Sequence, residues 1–224
     1  MAKSNNKFFK RNSFLLLGAA WLLTLAFVIN NYWSVTSTPR AIQKTLEKNI
    51  NSRLDGVRSL MEDTILLNSV IQNRLNTEKL NSLVKKDFYI FLYQKNENGS
   101  YAEKFWNTQA AEPDSSILAT PQNDNFVRLA NGWFITVSKN ISAPPYSYKF
   151  IFLIPVKWEY YIENKYLRND FTGIPNLHKT YEISSSGTGL PIQNIKGKTL
   201  FYLSKTAGLH HTPMSWTALT IGII

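Results

Sequence analysis

Residues 148–156 read YKFIFLIPV, a run in which Lys149 is the only charged residue. Aromatic and β-branched side chains dominate it, and Ala-Pro-Pro at 143–145 marks a turn just before it. The run therefore predicts a strongly apolar central strand. Further strands and turns are expected on the N-terminal side of this strand: strands 88–93, 101–106 and 133–137, with turns at 96–100 and 131–132.

The remaining segments complete the pattern of an α+β protein. Residues 110–125 predict a surface loop with at most one helical turn, and residues 158–171 predict a helical or mixed connection. Three further strands are expected at 181–184, 190–193 and 199–203. This order of elements indicates an antiparallel sheet with helices on one side, placed in residues 87–209. Such a sheet is of the kind found in PAS-like and Cache-type extracytoplasmic sensors.

A long amphipathic helix is predicted over residues 39–75, within a helical stalk of residues 34–86. Its apolar positions follow a 4-3-4 spacing, which leaves two roles open. The stripe covers the sheet of its own domain or pairs with the same helix of a second subunit, and both roles can hold along different stretches, with the lower part pairing and residues 65–67 and 70–71 meeting the domain core. A short helix restarts at Asn76 or Thr77 and ends at 85–87. The apolar seam positions are Ile50, Leu54, Val57, Met61, Ile71 and Leu75, and the polar residues Thr64 and Asn68 occupy the two seam positions between Met61 and Ile71.

Two apolar segments lie at the ends of the chain. Residues 14–33 are long enough to cross a hydrocarbon core as a helix, and residues 214–224 predict the start of a second span that the sequence cuts off. The basic residues in 1–13 predict a cytoplasmic N-terminus, which places residues 34–213 outside the inner, cytoplasmic membrane of a bacterium, in the periplasm. A cleaved signal peptide is the alternative, but no small-x-small cleavage site follows the apolar run.

The composition excludes several classes of function. The chain has no cysteine, so disulfides and thiolate metal sites are excluded, and no motif predicts a metal or cofactor in this chain. The net charge of +10 is expected to reflect a basic surface close to anionic lipid headgroups rather than a nucleic-acid interface. No catalytic motif occurs, so no catalytic residue is assigned. The pair His210-His211 predicts an interfacial stretch rather than a phosphoacceptor.

A candidate ligand site is formed by Trp133, Tyr161, Tyr166 and Arg168. The aromatic side chains would form the wall of a pocket for a small molecule, and Arg168 would bind a carboxylate with two hydrogen bonds. The alternative is that these aromatic residues belong to the core of the domain.

Several groups of residues between about residue 88 and residue 203 are informative through their order. The groups are Phe105-Trp106-Asn107, Asn131-Gly132-Trp133-Phe134, 153–157, 163–167 with Asp170-Phe171, Ile174-Pro175, and Gly197-Lys198 with Leu200-Phe201. Together they resemble the exported N-terminal region of membrane sensor histidine kinases from Bacteroidetes-type bacteria.

The resemblance implies a homodimeric two-component sensor for signal transduction. A cytoplasmic kinase part, absent from this sequence, would bind ATP and Mg²⁺ and act on a response regulator. The resemblance assigns no ligand-binding residues to positions of this chain. A chemoreceptor, a cyclic-dinucleotide enzyme and a non-signalling anchored assembly protein are the alternatives.

Overall fold

The computed structural model describes residues 13–15, 17–28, 38–119 and 124–206. The chain divides into two compact units, Met1–Ile42 with Gly208–Ile224, and Gln43–Ala207. In the first unit, the described residues between 13 and 28 are helical. None of the helices in the described residues combines the length and the apolar composition needed to cross a bilayer. Residues 16 and 29–33 of the predicted first span, and the whole of 214–224, lie outside the described residues.

The larger unit is built on an antiparallel sheet of five strands, as the sequence predicts for an α+β fold. The strand order is β2-β1-β5-β4-β3, so the 148–156 run lies in the central strand. The predicted strands are present, the strand that starts at residue 132 is longer than expected, and the strand at 125–129 was not predicted. The strands are β1 (Tyr89–Lys95), β2 (Tyr101–Trp106), β3 (Asn125–Leu129), β4 (Gly132–Ala143) and β5 (Tyr146–Trp158).

Strand β5 is central because both of its faces are covered. Every residue from 149 to 156 is buried, including Lys149 and Pro155. A proline has no N–H to donate to a neighbouring strand, so it is tolerated in a central strand only at an irregularity. The register between β4 and β5 shifts between Trp133 and Phe134, and Pro155 pairs with Phe134 at this bulge.

One face of the sheet is covered by the long helix. Helix α1 (Pro39–Glu62) ends at Asp63, whose side chain caps α2 (Thr64–Ile71). The predicted single helix over 39–75 is therefore two helices. Helix α1 contacts the sheet where Arg53 donates to the Pro155 carbonyl at 2.9 Å and where Gly56 lies against the Phe88 ring.

The apolar stripe of α1 serves the sheet-covering role. Ile50, Leu54 and Val57 are each 1% exposed or less within the single chain. This part of the predicted seam is consequently occupied by the domain core. Asn76 caps a third helix, α3 (Thr77–Val84), as predicted.

The opposite face of the sheet is covered by the segment that leads to α4 (Ser115–Ala119). Ala111 and Ile117 are buried together with Phe91, Ile151 and Leu153. The predicted surface loop therefore contains the expected helical turn, but it also closes a hydrophobic core. Helical elements thus lie on both faces, not on one side as predicted.

A second sheet of three strands follows, with the order β6-β8-β7. Its strands are β6 (Tyr181–Ile183), β7 (Leu190–Gln193) and β8 (Thr199–Lys205), in agreement with the three strands expected here. The connection over residues 159–170 contains no helix, contrary to the helical reading of that segment. Hydrogen bonds that backbone N–H groups donate to the side-chain oxygens of Asn and Asp residues order it instead, and such bonds compete with helix formation.

Candidate functional site

The long helix is joined to the small sheet by a row of polar side chains. Gln43, Glu47 and Asn51 are spaced by four residues, so they share one face of α1. Gln43 donates to the Pro191 carbonyl at 2.8 Å, and the Glu47 carboxylate accepts from the Gln193 N–H at 3.0 Å. Asn51 donates to the Gln193 carbonyl at 3.4 Å. Among the described residues no strand pairs with the outer edge of β7, and the polar row supplies hydrogen bonds to that edge instead.

The row continues into the turn between β7 and β8. The Ile195 N–H donates to the Asn51 side chain at 2.9 Å. Asn194, which is 5% exposed, holds the turn by accepting from the N–H groups of Lys196 and Lys198, both at 3.0 Å. The side chains of α1 thus contact both the last paired residues of β7 and the turn that leads into β8.

Asp124 connects three parts of the fold. It directly precedes β3, and its carboxylate lies 3.3 Å from the Arg58 guanidinium of α1. The same oxygen accepts from the Asn194 amide at 3.3 Å, and the Asp124 carbonyl accepts from the Lys198 ammonium at 2.6 Å. The five-stranded sheet, the long helix and the β7–β8 hairpin therefore meet at one aspartate, here called the Asp124 junction.

An aromatic stack joins the two sheets beside this junction. Phe126 stacks on Trp133 with ring centroids 5.1 Å apart and on Phe201 at 4.4 Å. The Arg128 guanidinium lies 5.5 Å from the centroid of the Trp133 ring. The indole N–H of Trp133 is buried and has no hydrogen-bond partner among the described residues. Trp133, the first predicted ligand residue, is therefore partly buried and packs against the Phe126 ring and the Arg128 side chain.

The other three predicted ligand residues lie on the connection after β5. Tyr161 is fully exposed, Tyr166 is 80% exposed, and Arg168 is exposed as well. Within the described part of the chain, no ring contact or hydrogen bond joins any two of the four predicted residues. Binding of a carboxylate by Arg168 stays a prediction.

A pocket of about 210 Å³ opens elsewhere, between β2 and the segment that follows it. The Glu103 carboxylate in it accepts from the Tyr93 hydroxyl at 3.3 Å. Two carboxylates and two aromatic side chains make this pocket suited to hydrogen-bond donors and cations, and no lining side chain is basic. The pocket is lined by Phe91, Glu103, Trp106, Thr108, Gln109, Ala111 and Glu112.

Burial and neighbouring charge alter the acidity of this pocket. Burial raises the pKa of Glu103, and the charge of Glu112 adds to that rise, against the hydrogen bond from Tyr93. Burial also raises the pKa of Tyr93, and the Glu103 carboxylate raises it further. Tyr93 therefore stays a hydrogen-bond donor throughout the physiological range.

This pocket was not predicted, because Glu103 and Trp106 are an odd number of residues apart on a strand. Alternation would place them on opposite faces. The register between β1 and β2 shifts so that Glu103 pairs with Tyr93 and Trp106 pairs with Phe91. The β-bulge thus brings both side chains to one face, and a sequence pattern carries no clear signal of a bulge.

Metal ligands are not clustered in the described residues, where no group of three or more His, Asp or Glu side chains could hold an ion. His210 and His211 lie outside them. Comparisons with protein-family models, with curated proteins and with solved structures give no match.

Proposed function

We propose that this chain is the sensory and membrane-anchoring region of a two-component sensor histidine kinase. Residues 1–13 would lie in the cytoplasm, residues 14–33 would form the first span, and residues 34–213 would form a periplasmic, PAS-like or Cache-like sensor domain. Residues 214–224 would begin the second span. The five-stranded antiparallel sheet flanked by helices supports this proposal, as does the order of residue groups that resembles such kinases.

The membrane anchor is supported by the side chains of the N-terminal helical residues. In the part of the structure that is described, the large apolar side chains between residues 14 and 28 are exposed rather than packed in a core. A helix with apolar side chains all around it requires an apolar environment. These side chains are Phe14, Leu15, Leu17, Trp21, Leu22, Leu23, Leu25, Phe27 and Val28.

The Asp124 junction, together with the polar row of α1, is the observation that carries the proposed function. Helix α1 follows the first apolar segment in the chain, and β8 precedes the second. Because Asp124 contacts both α1 and the β7–β8 hairpin, a shift of the sheet at Asp124 would change the position of the hairpin relative to α1. The two proposed membrane spans would transmit this displacement between α1 and β8 to the cytoplasmic side.

A stimulus acts on such a sensor only through its different affinity for two arrangements of the domain. Full reversal of a 1:99 equilibrium requires about 5.5 kcal/mol of differential binding. Each hydrogen bond of the Asp124 junction contributes about 1 kcal/mol to the stability of the arrangement in which it is formed. A ligand that breaks or forms one or two of these contacts would accordingly produce a partial shift.

The proposed sensor is a homodimer. Because Ile50, Leu54 and Val57 are buried in their own domain, the subunits would have to meet through other surfaces. The cytoplasmic part would bind ATP and Mg²⁺ and would transfer phosphate to a response regulator.

The decisive experiment measures phosphorylation of the natural full-length product in membranes. Incubation with radiolabelled Mg²⁺–ATP is expected to give phosphate that is labile in acid and stable in base, as phosphohistidine is. Asp124→Asn should change the level of this phosphate, whereas Asp55→Asn, at an exposed position of α1, should leave it unchanged.

Two results would overturn the proposal. Absence of phosphohistidine, with a different output domain such as that of a chemoreceptor or a cyclic-dinucleotide enzyme, would reassign the output. Phosphohistidine at the same level in the parent and in Asp124→Asn would remove the junction from the signalling route.

A further inference from the structure

The connection between β5 and the small sheet ends in an exposed apolar tip, here called the 161–167 tip. Tyr161 is fully exposed, and Tyr166 is 80% exposed. Ile162 and Leu167 are 67% and 40% exposed. Large apolar side chains grouped on one short loop indicate an interaction surface rather than ordinary scattered exposure.

The tip is held on an ordered base. The Tyr160 N–H donates to the Asn169 side chain at 2.6 Å, and the Asn169 amide donates back to the Tyr160 carbonyl at 3.4 Å. The Tyr160 ring stacks on Trp158 with centroids 5.4 Å apart. These contacts hold the two ends of the loop together and pack Tyr160 against Trp158 of β5.

Hydrogen bonds also fix the tip itself. The side chain of Asn164 accepts from the N–H groups of Tyr166 and Leu167 at 2.8 and 2.9 Å. Glu163 accepts from the Asn169 N–H at 3.1 Å. The apolar side chains are therefore presented in a defined arrangement, which keeps the entropy lost on binding small.

The position of the tip follows from the way α1 crosses the sheet. Lys139, which pairs with Phe150 of β5, donates to the Met61 carbonyl at the end of α1. Arg53, two turns earlier in α1, contacts Pro155 farther along β5. Helix α1 and β5 thus run in opposite directions.

The residues after β5 therefore lie toward the end of the domain at which α1 enters it. Gly173, just beyond the loop, contacts the Asn49 side chain of α1, earlier in the helix again. In the proposed topology the membrane lies at this end, because α1 follows the first span.

The charges around the tip suit a lipid surface. Lys165 lies 4.7 Å from the Tyr166 ring centroid, and Arg168 is exposed beside it. The acid of the tip, Glu163, is engaged by the Asn169 N–H. Tyrosine side chains favour the headgroup level of a bilayer, and basic side chains are attracted to anionic lipid.

We infer that the 161–167 tip inserts its apolar side chains into the surface of the membrane that anchors the chain, with Lys165 and Arg168 at the anionic headgroups. This inference rests on the proposed function, because the anchor brings the tip to the bilayer. Exposed apolar side chains beside two basic side chains match the apolar interior and the anionic headgroups of a bilayer, so a lipid surface fits the tip better than a protein segment does.

Absence of cysteine from the chain allows a direct test by site-specific spin labelling. The full chain is placed in nanodiscs that contain zwitterionic and anionic phospholipid, with one spin label at Tyr166→Cys. Controls carry the label at Leu22→Cys, in the proposed first span, or at Glu97→Cys, in the exposed β1–β2 turn. Accessibility to oxygen and to a water-soluble nickel complex then reports the environment of each label.

The expected result is that the label at position 166 is relaxed by oxygen more than by nickel, as at Leu22→Cys, with the opposite order at Glu97→Cys. Adding Tyr161→Ser and Ile162→Ser should shift the label at 166 toward the aqueous pattern. The variants change only exposed side chains, so folding is preserved.

Each other outcome has a definite meaning. An aqueous pattern at 166 with a lipid pattern at Leu22→Cys would overturn the tip inference and leave the anchor in place. Protection of position 166 from both reagents would show that a protein contact, not lipid, covers the tip, and would overturn the tip inference. An aqueous pattern at Leu22→Cys would overturn the anchor of the proposed function and the tip inference with it.

Discussion

The carboxylate of Asp124 lies 3.3 Å from the guanidinium of Arg58, which joins the start of β3 to the long helix α1. Their side chains are 19% and 29% exposed, so water screens this pair less than a fully exposed one. Arg58 has a second partner, Asp55, at 3.1 Å, but that carboxylate is 58% exposed. The two aspartates form a matched pair of test positions around a single arginine.

Asp124→Asn is expected to lower the free energy of unfolding by about 1–2 kcal/mol, between the values for exposed and buried ion pairs. The variant removes the charge that faces Arg58 while keeping the size of the side chain. Urea denaturation of the purified chain measures the loss. Asp55→Asn should cost less than about 0.5 kcal/mol.

A double-mutant cycle assigns the loss at Asp124 to its partner. If the ion pair is responsible, Asp124→Asn and Arg58→Gln together should cost less than the sum of the two single variants. Strict additivity would mean that Asp124 acts only through Asn194 and Lys198.

Asn51→Ala is expected to loosen the β7–β8 turn. The variant removes the acceptor of the Ile195 N–H and the donor to the Gln193 carbonyl, at a cost of about 1–2 kcal/mol. Hydrogen exchange of the Ile195 amide should become faster than in the parent chain. Ser52→Ala, at the exposed neighbouring position, is the control and should leave that amide protected. Equal exchange in both variants would show that α1 does not hold the turn.

Much of the large sheet could be predicted from the sequence because local patterns determine it. The YKFIFLIPV run predicted the central strand, and the turn at Asn98-Gly99 predicted the β1–β2 hairpin. The break at Asp63 was missed because the 4-3-4 spacing resumes at Ile71 and Leu75, although the two seam positions just after the break, Thr64 and Asn68, are polar. Strand β3 was missed as well, because five residues within a polar stretch give little alternation.

The candidate sites were harder to predict because they depend on contacts between distant segments. Asp124 meets Asn194 across seventy positions of sequence, and neither residue type is unusual in a loop. Trp133 is partly buried, whereas Tyr161 and Tyr166 are exposed, so the aromatic residue type alone did not distinguish packed positions from exposed ones. Composition therefore identified a segment rich in aromatic residues without showing whether its side chains line a pocket or are exposed to solvent.

Gly132→Ala is expected to cost more than about 2 kcal/mol of unfolding free energy. A Cβ at this position would lie 2.3 Å from the Lys157 carbonyl oxygen, a backbone atom that cannot rotate away. The strand pair at the centre of the sheet would have to separate. Thermal or urea denaturation measures the effect.

Gly99→Ala is the control that distinguishes the cost of the steric clash from the cost of a positive φ angle. Gly99 has φ +83° and open space around it, so its substitution should cost only about 1 kcal/mol for the left-handed conformation. If Gly132→Ala were as mild as Gly99→Ala, the close approach of β4 to β5 at this bulge would be wrong.

Asp170→Asn is expected to make the chain less stable at neutral pH by about 1–2 kcal/mol, because charge-assisted hydrogen bonds are lost. Its carboxylate accepts from the N–H groups of Phe171 and Asn176 at 2.8 and 2.5 Å and lies 2.9 Å from the His178 ring nitrogen. Burial by itself would raise the pKa of Asp170, but the hydrogen bonds from His178 and the backbone outweigh it and lower the pKa.

The sign of the pH dependence follows from that lowered pKa. The unfolded chain binds a proton at Asp170 more readily than the native state does, so stability rises with pH across this range. The contribution is complete above the ordinary pKa of an aspartate and is lost as the pH falls through the lowered one. Urea denaturation at a series of pH values should therefore show the parent and Asp170→Asn converging in acid. Glu97→Gln, whose carboxylate makes no contact among the described residues, should follow the parent throughout, and a constant gap for Asp170→Asn would contradict the role of its charge.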